Sequence, residues 1–399
     1  MYNIKLNSYV PAPQPATADR IVAAHYYAAW KKGTAGLHRG FDDLHDYPER
    51  TPLCGYYDGD SPALCDWEIK WALEHGINCF IFCWYRKKEN AGKPITVGDL
   101  RLGETLHNGF FNAKYFNQMQ YAIMFEATNK WAASDRRDML ENLMPFWLET
   151  YFSKDNYLKI DGKPVVFVYD YQDQLKNGFA NAAEQKATFD DCREMAKKAG
   201  FNGLIFAVEY RKDDLSVIDD YKARGYDFSF SYCWGFKQPQ PTNDEVIAEQ
   251  MRKTKLRAEQ IPDFFCPTAS CMWDPSPRFT SMPTMYTPEN NPSLWKLTPN
   301  SFRRLLREML DLVKDLPDGS YAKRLFMLDN WNEWDEGHYI MPSHEFGYGY
   351  LQAVREELTA RDNLPDYRTP QDLGLSEELN REWAAPDLRD VCRKILGEK

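Results

Sequence analysis

The sequence has no apolar run of the length that a membrane-spanning helix needs. Its first twenty residues, MYNIKLNSYVPAPQPATADR, also lack the apolar core of a signal peptide. We therefore expect no membrane partner. The location stays open between the cytoplasm and a processed periplasmic or secreted form, because a mature chain no longer carries its signal peptide.

Clustered positive charge is missing as well. The chain has 49 Lys and Arg against 59 Asp and Glu, a formal net charge of -10, and no basic run. Proteins bind nucleic acids and anionic lipids mainly through basic clusters, so we expect no nucleic-acid partner. These features predict nothing about the oligomeric state.

Residue spacings that are typical of bound metals or cofactors are not evident. The nine cysteines are scattered from Cys54 to Cys392 without a C-x-x-C pair, which predicts mostly buried free thiols. His25, His338 and His344 have no mutual spacing that demands a metal. No Gly-rich strand-to-helix loop marks a nucleotide-phosphate site. We expect no metal and no cofactor.

Aromatic residues are abundant, at 15% of the chain with 12 Trp and 24 Tyr. Such rings stack on sugars but are equally ordinary core material, so composition only favours a carbohydrate partner. One segment combines them with acids: the apolar residues 325–328 lead into WNEWDEGHYIMP, residues 331–342. A buried strand seldom runs into three carboxylates unless they face a cleft.

Glu333 and Glu336 are three residues apart, a spacing that puts both side chains on one face of a helical turn, with Asp335 pointing away from that face. Two carboxylates in an aromatic pocket repel each other and lose hydration, so the pKa of one rises while the other stays low. The pair then supplies one acid and one base, as glycosidic bond cleavage requires. A surface turn with solvated acids is the alternative, and the interleaved tryptophans make it the weaker one.

Strand-like and helical segments alternate along the chain. The predicted strands cover residues 21–30, 78–85, 120–131, 164–171, 203–210, 227–235, 262–275 and 324–331. This pattern predicts an α/β protein with a single (β/α)8 barrel and elaborated loops. We predict an N-terminal segment over residues 1–20, the barrel over 21–360, and a C-terminal extension packed on it over 361–399.

Helix and turn signals support this division. Ser61 before Pro62 predicts a helix to about residue 74, and Asn243 is the expected cap of a helix to about residue 258. The other predicted helices cover residues 134–151, 182–199, 299–316, 349–360 and 387–396, with a weaker helical stretch toward residue 116. Asp161-Gly162 predicts a hairpin, and Pro267 should lie at a bulge or edge of its strand.

In this type of barrel the functional residues gather at the C-terminal ends of the strands. The candidates for sugar binding there are Tyr26, Tyr27, Trp30, Trp84, Glu126, Asn129, Trp131, Tyr169, Glu209, Tyr210, Trp234, Trp273, Asn332 and Tyr339. Each tryptophan taken alone is more often core than sugar platform. Glu126 is about equally a buried carboxylate that pairs with a Lys or Arg.

Three stretches carry a resemblance to a known group. They are YYDGDSPALCDWEIKWALEHGINCFIFCWY, IDGKPVVFVYDY and NWNEWDEGHYIMPSHEFGYGYL. The sequence resembles the glycoside hydrolase family 99-like proteins, including the WbsX-type proteins found with polysaccharide biosynthesis genes. The resemblance covers most of the barrel.

The resemblance implies roles for individual residues. It matches Glu333 to the base and Glu336 to the acid of the family's endo-α-mannosidases. In these enzymes one carboxylate deprotonates a sugar 2-hydroxyl, which forms a 1,2-anhydro sugar that water opens. It also implies net retention and no metal. It adds Tyr57 and Asp58 as sugar-binding candidates, although Asp58 is equally a turn former.

One departure concerns the substrate. The group commonly carries a Glu before the motif's Pro and an acid after it, where this chain has Met341 and Ser343.

Three functions follow as hypotheses. The first is a retaining glycoside hydrolase that cleaves an α-linked oligosaccharide or polysaccharide. The others are a WbsX-type transferase of polysaccharide assembly and a non-catalytic sugar-binding barrel.

Overall fold

A computed structural model of the protein describes residues 9–30, 40–128, 134–170 and 173–373. Its core is a barrel of eight parallel strands: β1 Ile21–Tyr26, β2 Cys79–Arg86, β3 Gln120–Glu126, β4 Lys163–Tyr169, β5 Ile205–Glu209, β6 Phe228–Phe230, β7 Thr268–Ala269 and β8 Leu325–Leu328. They lie side by side in the order β6-β5-β4-β3-β2-β1-β8-β7. A parallel bridge between Ser229 and Phe265 joins β6 to the segment before β7. The predicted (β/α)8 barrel is confirmed.

The α-helices are Pro62–Glu74, Arg136–Asp138, Met144–Trp147, Gln174–Asn177, Ala182–Lys198, Ile218–Ala223, Asn243–Gln260, Arg278–Ser281, Pro299–Val313, Tyr321–Arg324 and Gly349–Leu358. Short strands outside the barrel cover Leu100–Arg101, Lys159–Ile160, Met272–Trp273, Trp295–Lys296, Asn332–Glu333 and His338–Tyr339. Each long helix follows a barrel strand, as the alternating sequence pattern predicts.

Two of the segments outside the barrel wall depart from a regular α-helix. After β2 the chain forms a π-turn at Thr105–Gly109 and 3-10 turns at Phe110–Asn112 and Phe116–Gln118. A Cβ atom at Gly109 would lie 2.4 Å from the Gly59 carbonyl oxygen, so only glycine allows this close approach. After β3, π-turns flank the short helix that contains Pro145, because proline offers no N–H to the helical ladder.

The cap and turn predictions hold with one exception. Ser61 accepts a hydrogen bond from the Leu64 N–H, and Asp161 and Gly162 have φ of 55° and 73° in a two-residue hairpin. The prediction that Asn243 caps the next helix is wrong. Thr242 is the cap, because Thr242 and Glu245 form a capping box in which each side chain bonds the other's backbone N–H.

The seventh strand is short for the reason expected. Pro267 immediately precedes the two-residue strand β7, and its carbonyl oxygen accepts a hydrogen bond from the Met327 N–H at 2.9 Å. A proline cannot donate to a ladder, so the regular pairing starts only after it.

The cysteine prediction is also confirmed for the described residues. Eight of the nine cysteines lie there, and all eight are free and buried. Helices that are both long and apolar enough to cross a bilayer do not occur in the described ranges.

The C-terminal segment lies against the start of the chain. Asp362 accepts hydrogen bonds from the Thr17 N–H and hydroxyl at 2.9 and 2.6 Å. The Asn363 amide donates to the Gln14 carbonyl at 2.6 Å. The helix predicted near residues 387–396 lies outside the described residues. The domain boundaries therefore stay a prediction.

A buried carboxylate, Glu68, links the outer helices to the barrel. It lies on helix Pro62–Glu74, is 1% exposed, and accepts hydrogen bonds from the Tyr26 hydroxyl at 2.8 Å and the Trp331 indole N–H at 3.1 Å. Burial raises its pKa from 4.5 to about 7. Glu68 thus connects the end of β1 to the first tryptophan after β8.

We expect a Glu68→Gln variant to lose part of the pH dependence of stability. Folding favours the protonated form of Glu68, so its stabilisation is full below pH 4.5 and is lost as pH rises through about 7. The loss amounts to about 3 kcal/mol, since each pKa unit is about 1.4 kcal/mol. Urea unfolding at pH 5 and pH 8 measures it.

The matched control is Glu141→Gln, whose side chain is exposed beside Arg137. This variant should show the same difference in the free energy of unfolding between pH 5 and pH 8 as the wild type. If the Glu68→Gln variant also shows the wild-type difference, the pKa assigned to Glu68 is contradicted.

Candidate active site

The acidic motif forms a β-hairpin directly after β8. Asn332 pairs with Tyr339 and Glu333 with His338, and the turn between them ends at Gly337. Gly337 has φ of 64°, and a Cβ atom there would lie 2.5 Å from the Asp274 carbonyl oxygen. Both the backbone conformation and the close approach require glycine. The hairpin replaces the helical turn that the spacing of the acids suggests.

All three acids of the motif meet one cation, Arg278. Its Nη2 lies 2.6 Å from Glu333 Oε1 and 2.8 Å from Asp335 Oδ1, and its Nη1 donates to Glu336 Oε1. The expectation that Asp335 points away from the pair is wrong, since in a tight hairpin turn neighbouring side chains can converge on one group. Arg278 is 5% exposed and the acids are at most 8% exposed, so the cluster is buried.

Glu336 has two further hydrogen-bond partners. The Tyr286 hydroxyl donates to Oε1, and His338 Nε2 lies 2.8 Å from Oε2. The other ring nitrogen of His338 bonds Asp329, the residue that follows β8. Glu336 thus lies between a guanidinium, a phenol and an imidazole.

Glu333 has fewer donors. Its Oε2 accepts from the Tyr232 hydroxyl at 3.1 Å, and Tyr232 in turn accepts from the Asn330 amide at 2.6 Å. The only cation hydrogen-bonded to Glu333 among the described residues is Arg278, which it shares with two other acids.

This difference splits the pKa values of the pair. Burial and the nearby charge of Glu336 hold the pKa of Glu333 well above its usual range, although Arg278 opposes this. Burial also disfavours the ionised form of Glu336. The charge of Arg278 and the hydrogen bond from His338 outweigh it, so the pKa of Glu336 lies below its usual range. The pocket therefore favours one protonated and one ionised carboxyl group.

The same groups offer a spacing that a metal ion could use. One oxygen of each of Glu333 and Glu336 and one nitrogen of His338 lie within 4.8 Å of one another. Arg278 already supplies positive charge to both carboxylates, and Asp329 with Glu336 raises the pKa of His338 to about 10 against the effect of burial. A protonated imidazole has no lone pair for a metal. That no metal is used stays a prediction.

Several aromatic candidates form a buried frame around the hairpin. Asn332 is its centre: its Oδ1 accepts from the Tyr27 N–H at 2.8 Å, and its backbone oxygen accepts from the Trp30 indole at 2.6 Å. The Tyr57 hydroxyl accepts from the Trp334 indole at 3.0 Å. The Tyr339 ring packs 4.3 Å from that of Trp334. These residues fix the hairpin on the end of β1.

Other candidates are hydrogen-bonded to groups outside the acid pocket. Tyr26 bonds Glu68, the Trp84 indole donates to the Tyr151 hydroxyl, and the Trp234 indole donates to the Thr268 carbonyl. Tyr210 donates to the Asp214 carbonyl. Each of these rings is buried, with at most 7% exposure. A covered ring stacks on a sugar only after a rearrangement, so their part in sugar binding stays a prediction.

A smaller set of candidates borders the acid pocket. The half-buried Trp273 has its ring 5.2 Å from that of His338, and the Arg278 guanidinium lies 6.0 Å from the Tyr27 ring. Glu126 lies at the end of β3, and burial, together with the charges of Glu209 and Glu333, raises its pKa well above its usual range. Asn129 and Trp131 lie outside the described residues.

A recess of about 190 Å³ opens beside this pocket at the ends of β4 and β5. Glu209 and Arg211 line it, and Arg211 bonds Glu209 at 2.6 Å and the Tyr169 hydroxyl at 2.9 Å. The Tyr169 ring lies 5.6 Å from that of Tyr232, the residue that bonds Glu333. Tyr169 therefore contacts both a residue that lines the recess and the tyrosine that bonds Glu333.

Asp58 behaves as the alternative interpretation predicts. Its Oδ1 accepts from the Asp60 N–H at 3.1 Å, and its backbone oxygen accepts from the Ser61 N–H at 3.0 Å. These are the bonds of an Asx turn that leads into the helix cap. Binding of a sugar by Asp58 stays a prediction.

Sequence reasoning missed four residues of the site: Arg278, Tyr286, Tyr232 and Asp329. One signal could have found Arg278. Three acids in an apolar pocket need a cation, and Arg278 is the only Lys or Arg between Arg257 and Lys296. The two tyrosines carry no distinguishing local pattern.

Comparisons with known proteins agree with this architecture. The family model described as glycosyltransferase WbsX matches residues 27–354. Two curated proteins of Xanthomonas campestris pv. campestris, each described as uncharacterized protein WxcX, are 24% identical over 348 residues. The match covers 82% of this chain and 45% of each relative, so the chain spans about half the length of these relatives.

Solved structures share the fold. An endo-alpha-mannosidase of glycoside hydrolase family 99 from Bacteroides thetaiotaomicron superposes with a TM-score of 0.55 and 14% identity, over 91% of this chain and 100% of that chain. A complex of such an enzyme with bis-tris-propane superposes with a TM-score of 0.56 and 15% identity. The match covers 85% of this chain and 96% of that chain. A glycoside hydrolase-like protein superposes with a TM-score of 0.59 and 16% identity, over 88% of this chain and 98% of that chain. At these identities the similarity establishes the barrel alone.

We expect Arg278→Met to destabilise the protein strongly at neutral pH. The substitution leaves three buried carboxylates without their cation, and breaking a buried ion pair in this way costs about 3–5 kcal/mol. The loss should shrink as pH falls toward 4, because the acids then take up protons. Urea unfolding at both pH values tests this.

Arg137→Met is the matched control, because the ion pair of Arg137 with Glu141 is exposed. It should unfold like the wild type. An Arg278→Met protein as stable as this control would contradict the importance of the central cation.

Proposed function

The chain belongs to the glycosyltransferase WbsX family. For this member of the family we propose the function of a retaining glycoside hydrolase that acts on an α-linked glycan. Glu333 and Glu336 are the proposed catalytic residues. The substrate class is a mannoside-like or other oligosaccharide or polysaccharide.

One observation carries the proposal: two carboxyl groups with opposite pKa shifts lie close together at the end of β8. Oxygens of Glu333 and Glu336 are within 4.8 Å of each other. Inverting glycosidases separate their carboxyl groups by about 6.5–9.5 Å to admit a water molecule, whereas retaining enzymes hold them closer. The short separation supports retention of configuration.

The proposed chemistry uses the pair in two steps. The ionised carboxylate takes the proton of the sugar 2-hydroxyl, whose oxygen attacks the anomeric carbon, while the protonated carboxyl group gives its proton to the leaving glycosidic oxygen. The product is a 1,2-anhydro sugar. Water then opens it with the roles exchanged, and two inversions give net retention.

The resemblance assigns the starting roles, with Glu333 as base and Glu336 as acid. In the pocket without substrate, the raised pKa of Glu333 favours a proton there, and the lowered pKa of Glu336 favours a carboxylate. A bound sugar changes the surroundings of both groups, so the proposed roles stay those that the resemblance assigns.

Sugar contacts are proposed for the residues at the border of the pocket. Trp273 is half-buried beside His338 and offers the best placed ring for stacking on a sugar. Tyr27, Glu126 and Tyr169 are the proposed polar contacts, since each lies at a strand end near the acids.

Transferase activity is the second candidate, because the family description names a glycosyltransferase. The two activities differ in the donor. A hydrolase consumes a glycan and releases a reducing sugar, whereas a transferase consumes an activated sugar and extends an acceptor. Incubation with each donor class, followed by mass spectrometry, separates them. A barrel that binds sugars without catalysis would give neither product.

We expect the wild type to cleave at least one member of a panel of α-linked oligosaccharides, with the α-anomer as the first product seen by proton NMR. Glu333→Gln and Glu336→Gln should each lower kcat at least a hundredfold, since acid or base catalysis contributes about 10²–10⁴.

Glu345→Gln serves as the control, because Glu345 follows the same hairpin but pairs with Lys296 at the edge of the protein. It should retain activity within about twofold. Full activity of either catalytic variant on a cleaved glycan, or a β-anomer as first product, would overturn the proposal.

A further inference from the structure

The recess at the ends of β4 and β5 has the size of a small binding site. It encloses about 190 Å³, and the side chains of Glu209, Tyr210, Arg211 and Tyr221 form part of its lining. Pockets that bury drug-sized ligands have volumes of about 300–1,000 Å³, so this recess has room for one sugar ring but not for a nucleotide sugar. It opens at the end of the barrel where functional residues gather.

Glu209 offers an unused hydrogen-bond acceptor to this recess. Its side chain is 3% exposed, and its Oε1 accepts from Arg211 Nε at 2.6 Å and from the Tyr232 N–H at 3.4 Å. No donor among the described residues bonds Oε2. A buried carboxylate oxygen normally has a donor, because burial without one costs free energy. Since Glu209 lines the recess, a ligand there can supply that donor.

Two more polar groups of the lining have no hydrogen-bond partner in the described part of the chain. They are the carboxylate of Asp173, which is exposed, and the hydroxyl of Tyr221, which is half-buried. Two other acids are already engaged: Asp170 accepts two backbone N–H groups, and Asp220 pairs with Lys176 at 3.2 Å. The free groups are thus mainly acceptors, so a fitting ligand has to bring donors.

The charge of the lining argues against an anionic ligand. Five acids line the recess against three cations. Burial raises the pKa of Asp170 to about 7, and the acids still outnumber the cations by four to three when Asp170 is counted as neutral. Arg211 and Lys176 are paired with acids, which leaves Lys212 as the one unpaired cation of the described lining. A net negative recess repels a uronate or a phosphate.

The aromatic part of the wall suits a sugar as well. The rings of Tyr210 and Tyr221 meet edge to face at a centroid distance of 5.6 Å. Aromatic rings supply apolar contact area to a ligand, and a few polar groups beside them fix its orientation. A sugar ring presents C–H groups and hydroxyl donors together, which matches a wall of tyrosine rings and carboxylates.

One residue, Tyr232, connects the recess to the proposed catalytic pair. Its N–H donates to Glu209 Oε1 at 3.4 Å, and its hydroxyl donates to Glu333 Oε2 at 3.1 Å. The floor of the recess and the acid pair therefore lie at the two ends of a single tyrosine. A glycan with one sugar residue at the acids can reach the recess with another.

We propose that the recess binds a second sugar residue of the glycan, and that this residue is a neutral hexose or an amino sugar rather than a uronate or a phosphorylated sugar. Glu209 and Asp173 accept hydrogen bonds from its hydroxyl or ammonium groups, and Tyr221 contributes its ring and its hydroxyl. The link to cleavage rests on the proposed function. Binding of the sugar in the recess does not.

The first test is binding to the full-length protein. Crystals are soaked separately with methyl α-D-mannopyranoside, D-glucosamine and D-glucuronate, and the dissociation constant of each sugar is measured by NMR. We expect at least one of the first two in the recess, in contact with Glu209, and no D-glucuronate there. Asp173→Asn and Tyr221→Phe should each weaken binding of that sugar about two- to tenfold, the effect of one lost hydrogen bond.

Asp318→Asn and Tyr367→Phe are the matched controls. Asp318 is exposed beside Lys323, and the exposed Tyr367 donates to Gln352. Neither control should change the dissociation constant. The two recess substitutions nearly keep the side-chain shape and remove a group without a described partner, so both variants should fold.

Three results would overturn the proposal. They are a recess without either of the first two sugars, D-glucuronate bound in the recess, and dissociation constants that stay unchanged in both Asp173→Asn and Tyr221→Phe.

The second test is kinetic and compares the shortest glycan that the wild type cleaves with glycans that are one sugar residue longer at either end. For one of the longer glycans, Asp173→Asn and Tyr221→Phe should lower kcat/KM about two- to tenfold more than for the shortest one. An equal loss on all glycans would indicate a structural effect and would overturn the link to cleavage. Absence of cleavage by the wild type would reject the proposed function instead, and the binding test would still decide the role of the recess.

Discussion

The structure of the site depends on one interaction, the contact of the Arg278 guanidinium with three buried carboxylates. Three acids without a counter-charge would not stay ionised in a pocket of Trp and Tyr rings, because burial disfavours their charged forms. Arg278 reaches them from the start of the short helix Arg278–Ser281, and it divides its donors unequally. Glu336 is hydrogen-bonded to a second cation, His338, whereas the charge of His338 reaches Glu333 only through space. That inequality moves the pKa values of the two carboxyl groups in opposite directions.

The aromatic residues around the motif hold the acids in place more than they offer surfaces to a ligand. Trp30, Tyr57 and Asn332 tie the hairpin to the loops after β1, and Glu68 ties Trp331 to an outer helix. A catalytic pair must keep its geometry to a fraction of an ångström, and side chains locked by packing and hydrogen bonds provide this. The high aromatic content therefore reflects a rigid frame.

Local sequence signals predict much of the fold, whereas contacts between distant residues determine the remaining features of the site. Apolar runs, the Ser61 cap and the Asp161-Gly162 turn act within a few residues, so the strands, helices and barrel follow from the sequence. The same holds for the pair Glu333 and Glu336 at the end of β8. Arg278 lies 55 residues before Glu333, and nothing in its own neighbourhood indicates which acids it meets. The spacing of the acids gives the wrong direction for the Asp335 side chain, because the motif forms a hairpin through pairing with residues 338–339 and not a helical turn.

The most direct test of this account is a crystal structure of the Glu336→Gln protein with an uncleaved α-linked oligosaccharide. We expect the 2-hydroxyl of the sugar within hydrogen-bond distance of Glu333. The scissile glycosidic oxygen should lie within hydrogen-bond distance of residue 336, with the ring of Trp273 against the sugar. A glycan bound elsewhere, for example only in the recess lined by Arg211, with no anomeric carbon near the two acids, would contradict it.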